Sequence, residues 1–191
     1  NPTPVTITGS TFSKRAEATL YVPEGSKEAY TTADYWKEFT IVEGNVYLGV
    51  EINGIRYNLM DDGFKATVIR NTTSDYSGSI TIPESVTYEG NTYNVTSIGN
   101  EAFYYCSSLT SITIPTSVDS IANFAFYGCS DLTSVTIPEN VKTIGNDAFS
   151  YCISLPTVTL PESLTTIGSY IFINCISLTS VTMGNNVTSI S

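Results

Sequence analysis

Four cysteines stand 23 residues apart, at Cys106, Cys129, Cys152 and Cys175. Thiols can pair as disulfides, ligate zinc or pack as small apolar groups, and an even count in a secreted chain usually points to the first. The fixed interval points elsewhere. Residues recurring once per rung of a repeating fold lie about 4.8 Å apart with parallel Cβ vectors. A disulfide needs Cβ atoms about 3.8 Å apart, and zinc needs ligands converging on a tetrahedron. A straight column meets neither demand, so four buried free thiols are expected. Other chemistry-bearing residues are sparse. There is no histidine, which removes Ser-His-Asp and Cys-His catalysis and most zinc sites. Glu139 and Glu162 follow equivalent prolines one repeat apart, and a retaining glycosidase uses carboxylates about 5 Å apart. These two stand in turns that offer no pocket, and solvated acids are the expectation. Asp61-Asp62-Gly63 reads as a turn, because no further ligands follow at the spacing of a calcium loop. No catalytic, metal or cofactor site is expected.

The same interval governs the elements that carry these residues. It links Ile98, Ile121, Ile144, Ile167 and Ile190, and likewise Leu109, Leu132, Leu155 and Leu178. Proline recurs at Pro115, Pro138 and Pro161, with Gly184 in the fourth copy. Within one copy, Leu109-x-x-Ile112-x-Ile114 followed by Ser117 is the pattern of a leucine-rich repeat. Two-residue alternation turns Ile112 and Ile114 inward and Ser111 and Thr113 outward, and proline then stops the ladder. Ser117, Asn140, Ser163 and Asn186 hold a position where the chain turns inward, and a short polar side chain there is expected to serve stranded amide groups. The return limb buries one residue every few positions. Its core ladder is Phe103, Cys106, Phe126, Cys129, Phe149, Cys152, Phe172 and Cys175. One copy cannot close such a core, so the copies must stack.

The segment Ile144-Gly145-Asn146-Asp147-Ala148-Phe149-Ser150-Tyr151-Cys152, running into a Leu-x-x-Val-x-Leu-Pro strand, resembles the BspA-like leucine-rich-repeat surface proteins of bacteria. The resemblance covers residues 80 to 191, where every copy fits. It implies a right-handed solenoid with a parallel β-sheet on its concave face, irregular or 3-10 return limbs, a β-hairpin N-cap and a small α/β cap segment ahead of it. Leu20 to Tyr30, then Trp36 to Phe39, looks like the C-terminal cap of such an array, placed here in front of one. The expected organisation is therefore residues 1–44 as a partial repeat with that cap, 45–79 as the hairpin cap, and 80–191 as the array, with four copies from residue 98. In the first part, Val5-Thr6-Ile7 is read as a strand and Ser26 as the N-cap of a helix to Ala33. In the second, Asn53-Gly54 marks a hairpin turn. Glu89-Gly90-Asn91 turns a further hairpin, inserted before Ile98.

The net charge of −10 and the lack of a basic stretch repel phosphate backbones, so nucleic acid is excluded as a partner. No apolar run is long enough to span a bilayer. The chain opens on Asn1-Pro2-Thr3-Pro4 without a signal peptide and stops one residue into a fifth copy, which reads as a piece of a longer protein. The edge it leaves near residues 184 to 191 is expected to self-associate. The resemblance implies a cell-surface or secreted protein that binds host or bacterial surface or matrix proteins, as an adhesin does. A structural spacer and a glycan-binding module are the alternatives. The candidate binding face is the outward columns Ser111, Ser134, Thr157, Ser180 and Thr113, Thr136, Thr159, Thr182, where side-chain choice is free of core constraints. Those columns hold no aromatic residue or arginine. Tyr104, Tyr105, Tyr127 and Tyr151, beside the Phe and Cys of the return limb, are expected to lie half-buried over the rungs, with an adhesive stripe on the convex side as the alternative.

Overall fold

A computed structural model describes residues 15–22, 26–44 and 46–190; Val5-Thr6-Ile7 falls outside them. The first unit holds strand β1 (Thr19–Val22), helix α1 (Lys27–Thr32) and strand β2 (Thr40–Glu43), which pairs parallel with β1. Val22 and Ile41 are buried between them, and Trp36 packs against Tyr30 and Phe39 at ring-centroid distances of 5.6 and 5.8 Å. Ser26 stands at the N-cap position but does not cap. Its backbone is already in the helical region, and its buried hydroxyl has no partner.

An antiparallel meander follows, β3 (Val46–Ile52), β4 (Ile55–Met60) and β5 (Lys65–Ile69). Asn53 and Gly54 turn the first hairpin with φ of 52° and 79°, the left-handed pair that matches strand twist. Next come β6 (Gly78–Thr81), β7 (Ser85–Tyr88) and β8 (Asn91–Ile98). Strands β7 and β8 form the inserted hairpin. The insertion explains why Ser79 lies beside Ser111, 32 residues on, where later rungs repeat at 23.

The array then alternates strand and return. The strand side carries β9 (Leu109–Thr113), the return limb β10 (Ser120–Ile121), and the next rungs repeat this as β11 (Ser134–Thr136), β12 (Thr143–Ile144), β13 (Thr157–Leu160), β14 (Thr166–Ile167), β15 (Ser180–Met183) and β16 (Ser189–Ile190). The return limbs are irregular apart from short strands. These strands have two residues each and run parallel, and the described 3-10 segments, Arg15–Glu17 and Trp36–Glu38, lie in the first unit. These short strands align as β8-β10-β12-β14-β16, and β5 of the meander joins β8, making one nine-stranded sheet. The strand side is interrupted, as β6-β9-β11 and then β13-β15. Pro156 stands where Thr133 and Thr179 donate backbone N–H groups to Thr110 and Pro156. It has no N–H to offer Thr133, so the ladder breaks there.

Tight stacking has a residue cost. A Cβ on Gly145 would come within 2.5 Å of the Asn123 nitrogen in the rung before. Beside it runs a column of asparagines. Asn100, Asn123 and Asn146 each accept, at Oδ1, the backbone N–H one rung on, from Asn123, Asn146 and Ser169 at 3.2, 2.7 and 2.8 Å. The column Ser117, Asn140, Ser163 and Asn186 serves backbone amide groups as expected, on their carbonyl side. Its hydroxyls and amides donate to carbonyls one rung back, Val95, Thr116, Val141 and Glu162. The stranded N–H groups at this corner are met by carboxylates. Glu84 accepts from Thr116 N and Ser117 N at 3.0 and 2.8 Å and from Thr116 Oγ1 at 2.8 Å.

Those bonds, the Thr116 hydroxyl's first, hold the Glu84 carboxyl below its ordinary pKa. A lowered native pKa gives stability that is complete above the unfolded-state value, near 4.5, and is lost as pH falls from there through the native value. Denaturation midpoints between pH 7 and pH 2 should therefore drop less steeply at the acid end for Glu84→Gln than for the parent. Parallel curves would show the contact to be energetically silent.

Candidate functional site

Seven of the eight outward strand residues are exposed and Ser111 is half-buried. Ser134 lies beside Ser111, Thr136 beside Thr113, Thr157 beside Ser180 and Thr159 beside Thr182. The face is made of small hydroxylated side chains, with the break at Pro156 between its two halves. Ser111 donates to Ser79 at 2.7 Å. Glu162 is committed to the next rung, accepting from Asn185 N at 3.0 Å. Asp61 accepts from the Tyr93 hydroxyl at 2.5 Å. Along the asparagine column lies a shallow groove of about 390 Å³, lined by Asn100, Asn123, Asn146, Thr143 and Gly168 among others.

The phenylalanine and cysteine ladder runs through the core, its last ring partly buried. Phe103, Phe126 and Phe149 are fully buried and stack at 5.1 and 5.0 Å, with half-buried Phe172 at 5.9 Å beyond. Tyr76, unread in the sequence, opens the stack at 4.8 Å from Phe103. Its hydroxyl accepts from Arg56 N at 2.9 Å and donates to the Ile69 carbonyl at 3.1 Å, so one ring ties meander to array. The cysteines are free and buried. Cys129, Cys152 and Cys175 each donate to a phenylalanine carbonyl one rung back, of Phe103, Phe126 and Phe149, at 3.0–3.2 Å. Burial pushes every thiol up, Cys106 to about 11 and Cys129 and Cys152 further. These groups fill space and close hydrogen bonds.

The turn edge is different. Tyr104 stacks on Tyr127 at 5.2 Å with 21° between the planes, and Tyr151 follows Tyr127 at 5.1 Å. Tyr105 stands edge-on to both Tyr104 and Tyr127, at 4.7 and 5.4 Å, and Phe124 adds a fifth ring against Tyr104 and Tyr127. Tyr104 and Tyr127 are half-buried as expected, whereas Tyr105 and Tyr151 are 53% and 41% exposed. Gly128 makes the room. A Cβ there would meet the Tyr105 ring at 2.8 Å. Water is displaced from the Tyr127 phenol and three other phenols crowd it, which pushes it up to about 12. Arg70, from the end of the meander, lies over Tyr104 with Cζ 5.3 Å from the ring centroid and faces Glu101 at 3.9 Å. Further along the same edge Ile153, Ile173 and Ile176 are exposed.

Six copies of the BspA type leucine-rich repeat region match residues 76–191. The chain belongs to this family. Solved structures of similar proteins agree with that assignment. A leucine-rich repeat protein from Bacteroides capillosus is 33% identical, with a TM-score of 0.62 over 70% of this chain and 96% of that one. One from Bacteroides ovatus is 32% identical, with a TM-score of 0.56 over 70% of this chain and 40% of the other. A leucine rich cell surface protein from Faecalibacterium prausnitzii is 31% identical, with a TM-score of 0.55 over 76% and 44%. This BspA-type chain thus spans less than half the length of the last two. No curated protein matches it.

Proposed function

We propose that this BspA-type segment is a non-catalytic, adhesin-like protein-binding module of a bacterial secreted or cell-surface protein. The observation that supports this reading is the turn-edge band of Tyr104, Tyr105, Tyr127 and Tyr151 with Arg70. Tyrosine and arginine dominate binding energy at protein interfaces, and here they gather on a frame whose strand face is serine and threonine. A spacer has no use for exposed rings. Similarity to a cell-surface protein favours a place outside the cell, where host or bacterial surface and matrix proteins are the partner class. Clustered aromatics also bring forward a glycan as second reading. Against it, Tyr104 is covered by Tyr127 and Arg70, and the exposed rings form no flat platform for a sugar: Tyr105 stands at 90° to Tyr104 and 69° to Tyr127, and Tyr151 is tilted 47° from Tyr127.

The experiment is binding of matrix proteins, mucin and polysaccharides to the immobilised chain. Saturable binding to a protein is expected, weakened about 30-fold or more by Tyr105→Ser with Tyr151→Ser, since a hot-spot ring is worth about 2 kcal/mol. Loss on Thr113→Arg or Thr136→Arg, with the tyrosine pair silent, would move the site to the strand face. Binding to polysaccharide alone would favour the glycan reading, and binding to nothing would favour the spacer.

A further inference from the structure

The geometry points to a partner of a definite kind: a basic protein segment whose arginine side chains seat on Tyr105 and Tyr151. The inference rests on the binding-module reading and supplies the chemistry of its site.

The band already holds one guanidinium, and it comes from the chain itself. Arg70 lies over the outer face of Tyr104, Tyr104 is stacked on Tyr127, and Tyr127 is followed by Tyr151. The pile therefore starts with an arginine and ends in an exposed tyrosine. Guanidinium suits such a seat better than ammonium, being planar, weakly hydrated and able to stack on a ring while its edge still donates hydrogen bonds. Tyr105 offers a second seat beside the first. It stands at 90° to Tyr104 and 69° to Tyr127 and is the more exposed of the two outer rings. Rings at an angle to one another present π-faces from two directions, which is how aromatic cages hold cations. Among the described residues no cation lies over Tyr105 or Tyr151.

Charge favours the same partner. From residue 71 to 191 the chain carries a single cation, Lys142, against nine carboxylates. The field of such an array draws in basic segments and repels acidic ones, raising the rate of encounter. A hydrophobic partner would gain from Ile153, Ile173 and Ile176 but nothing from this field. An acidic partner would be repelled by it.

The test titrates the 191-residue chain, its tyrosine rings labelled for NMR, with an alternating Arg-Ser peptide, its Lys-Ser counterpart and a Glu-Ser control at physiological salt. The Arg-Ser peptide should bind saturably, about tenfold tighter than Lys-Ser, and move the ring resonances of Tyr105 and Tyr151 before those of other tyrosines. Tyr105→Ser with Tyr151→Ser should weaken it about tenfold in a chain that circular dichroism shows still folded at the titration temperature, because the phenylalanine stack of the core is untouched. Tyr105→Phe with Tyr151→Phe should retain it, because the ring and not the hydroxyl makes the seat. Equal affinity for Arg-Ser and Lys-Ser, untouched by ring removal, would reduce the effect to diffuse attraction and overturn the inference, as would absence of saturable binding. If the peptide fails while a matrix protein still binds, this inference falls and the binding-module reading stands. If the peptide binds and no matrix protein does, the seat is upheld and the partner class proposed above is wrong.

Discussion

Replacing Phe126 by alanine should lower the unfolding free energy by about 3–5 kcal/mol, a large share of the roughly 5–15 kcal/mol that holds a domain together. Its ring is fully buried and sandwiched, 5.1 Å from Phe103 and 5.0 Å from Phe149. The cavity left behind cannot collapse, because rung spacing is fixed by backbone bonds such as Phe103 N to the Ala125 carbonyl at 2.7 Å and Phe126 N to the Ala148 carbonyl at 2.7 Å. Each rung of a solenoid is stabilised by its neighbours, so a void at this rung weakens two interfaces. Phe172→Ala is the internal control. That ring is half-buried, with a stacking distance of 5.9 Å to Phe149, and should cost clearly less. Urea unfolding of both variants measures the difference. Equal losses would mean that the stack does not carry the coupling between rungs.

The second large effect is the silence of the thiols. In the native chain Cys129 and Cys152, with no exposed surface, should react with a thiol reagent only through unfolding. For a stability of about 5 kcal/mol that is a slowing of roughly a thousandfold or more against the denatured chain. Cys175, at 9% exposure, should react first. Burial raises each thiol, so the folded form supplies no thiolate of its own, and labelling of Cys129 and Cys152 should rise from pH 8 to pH 9 in parallel with that of the denatured chain through which it passes. The same shifts give stability that is complete below the unfolded thiol value, near 9, and lost as pH rises from there toward the native values. Mass spectrometry of alkylated peptides reads all four positions separately. Fast native labelling of Cys129 would contradict the packing of the ladder.

The sequence by itself determined the features that are local and periodic. A 23-residue interval and a two-residue alternation are enough to place Phe103, Phe126 and Phe149 and the four cysteines in a core and to turn Thr113 and Thr136 outward. They are also enough to show that a column of thiols cannot pair. Asn53-Gly54 and Glu89-Gly90 announced their hairpins, because left-handed turns favour the glycine both carry and the asparagine of the first. The asparagine column at 100, 123 and 146 was written in the same interval and went unread, since amide side chains carry no hydrophobic signal.

Tertiary structure alone decided what depends on partners distant in the chain. Tyr76 completes the phenylalanine stack and Arg70 reaches Tyr104 because β5 pairs with β8, a register that no spacing in the sequence displays. Pro156 splits the strand face because the N–H it lacks is the one the neighbouring strand needs. Ser26 fails as a cap because its own backbone is already helical. Above all, the exposure of Tyr105 and Tyr151 is set by what lies around them, Gly128 beneath one and a turn edge beside the other. A side chain's type is local information. Whether its surface remains in water is settled by every neighbour the fold brings to it, and the proposed site of this protein is a surface of that second kind.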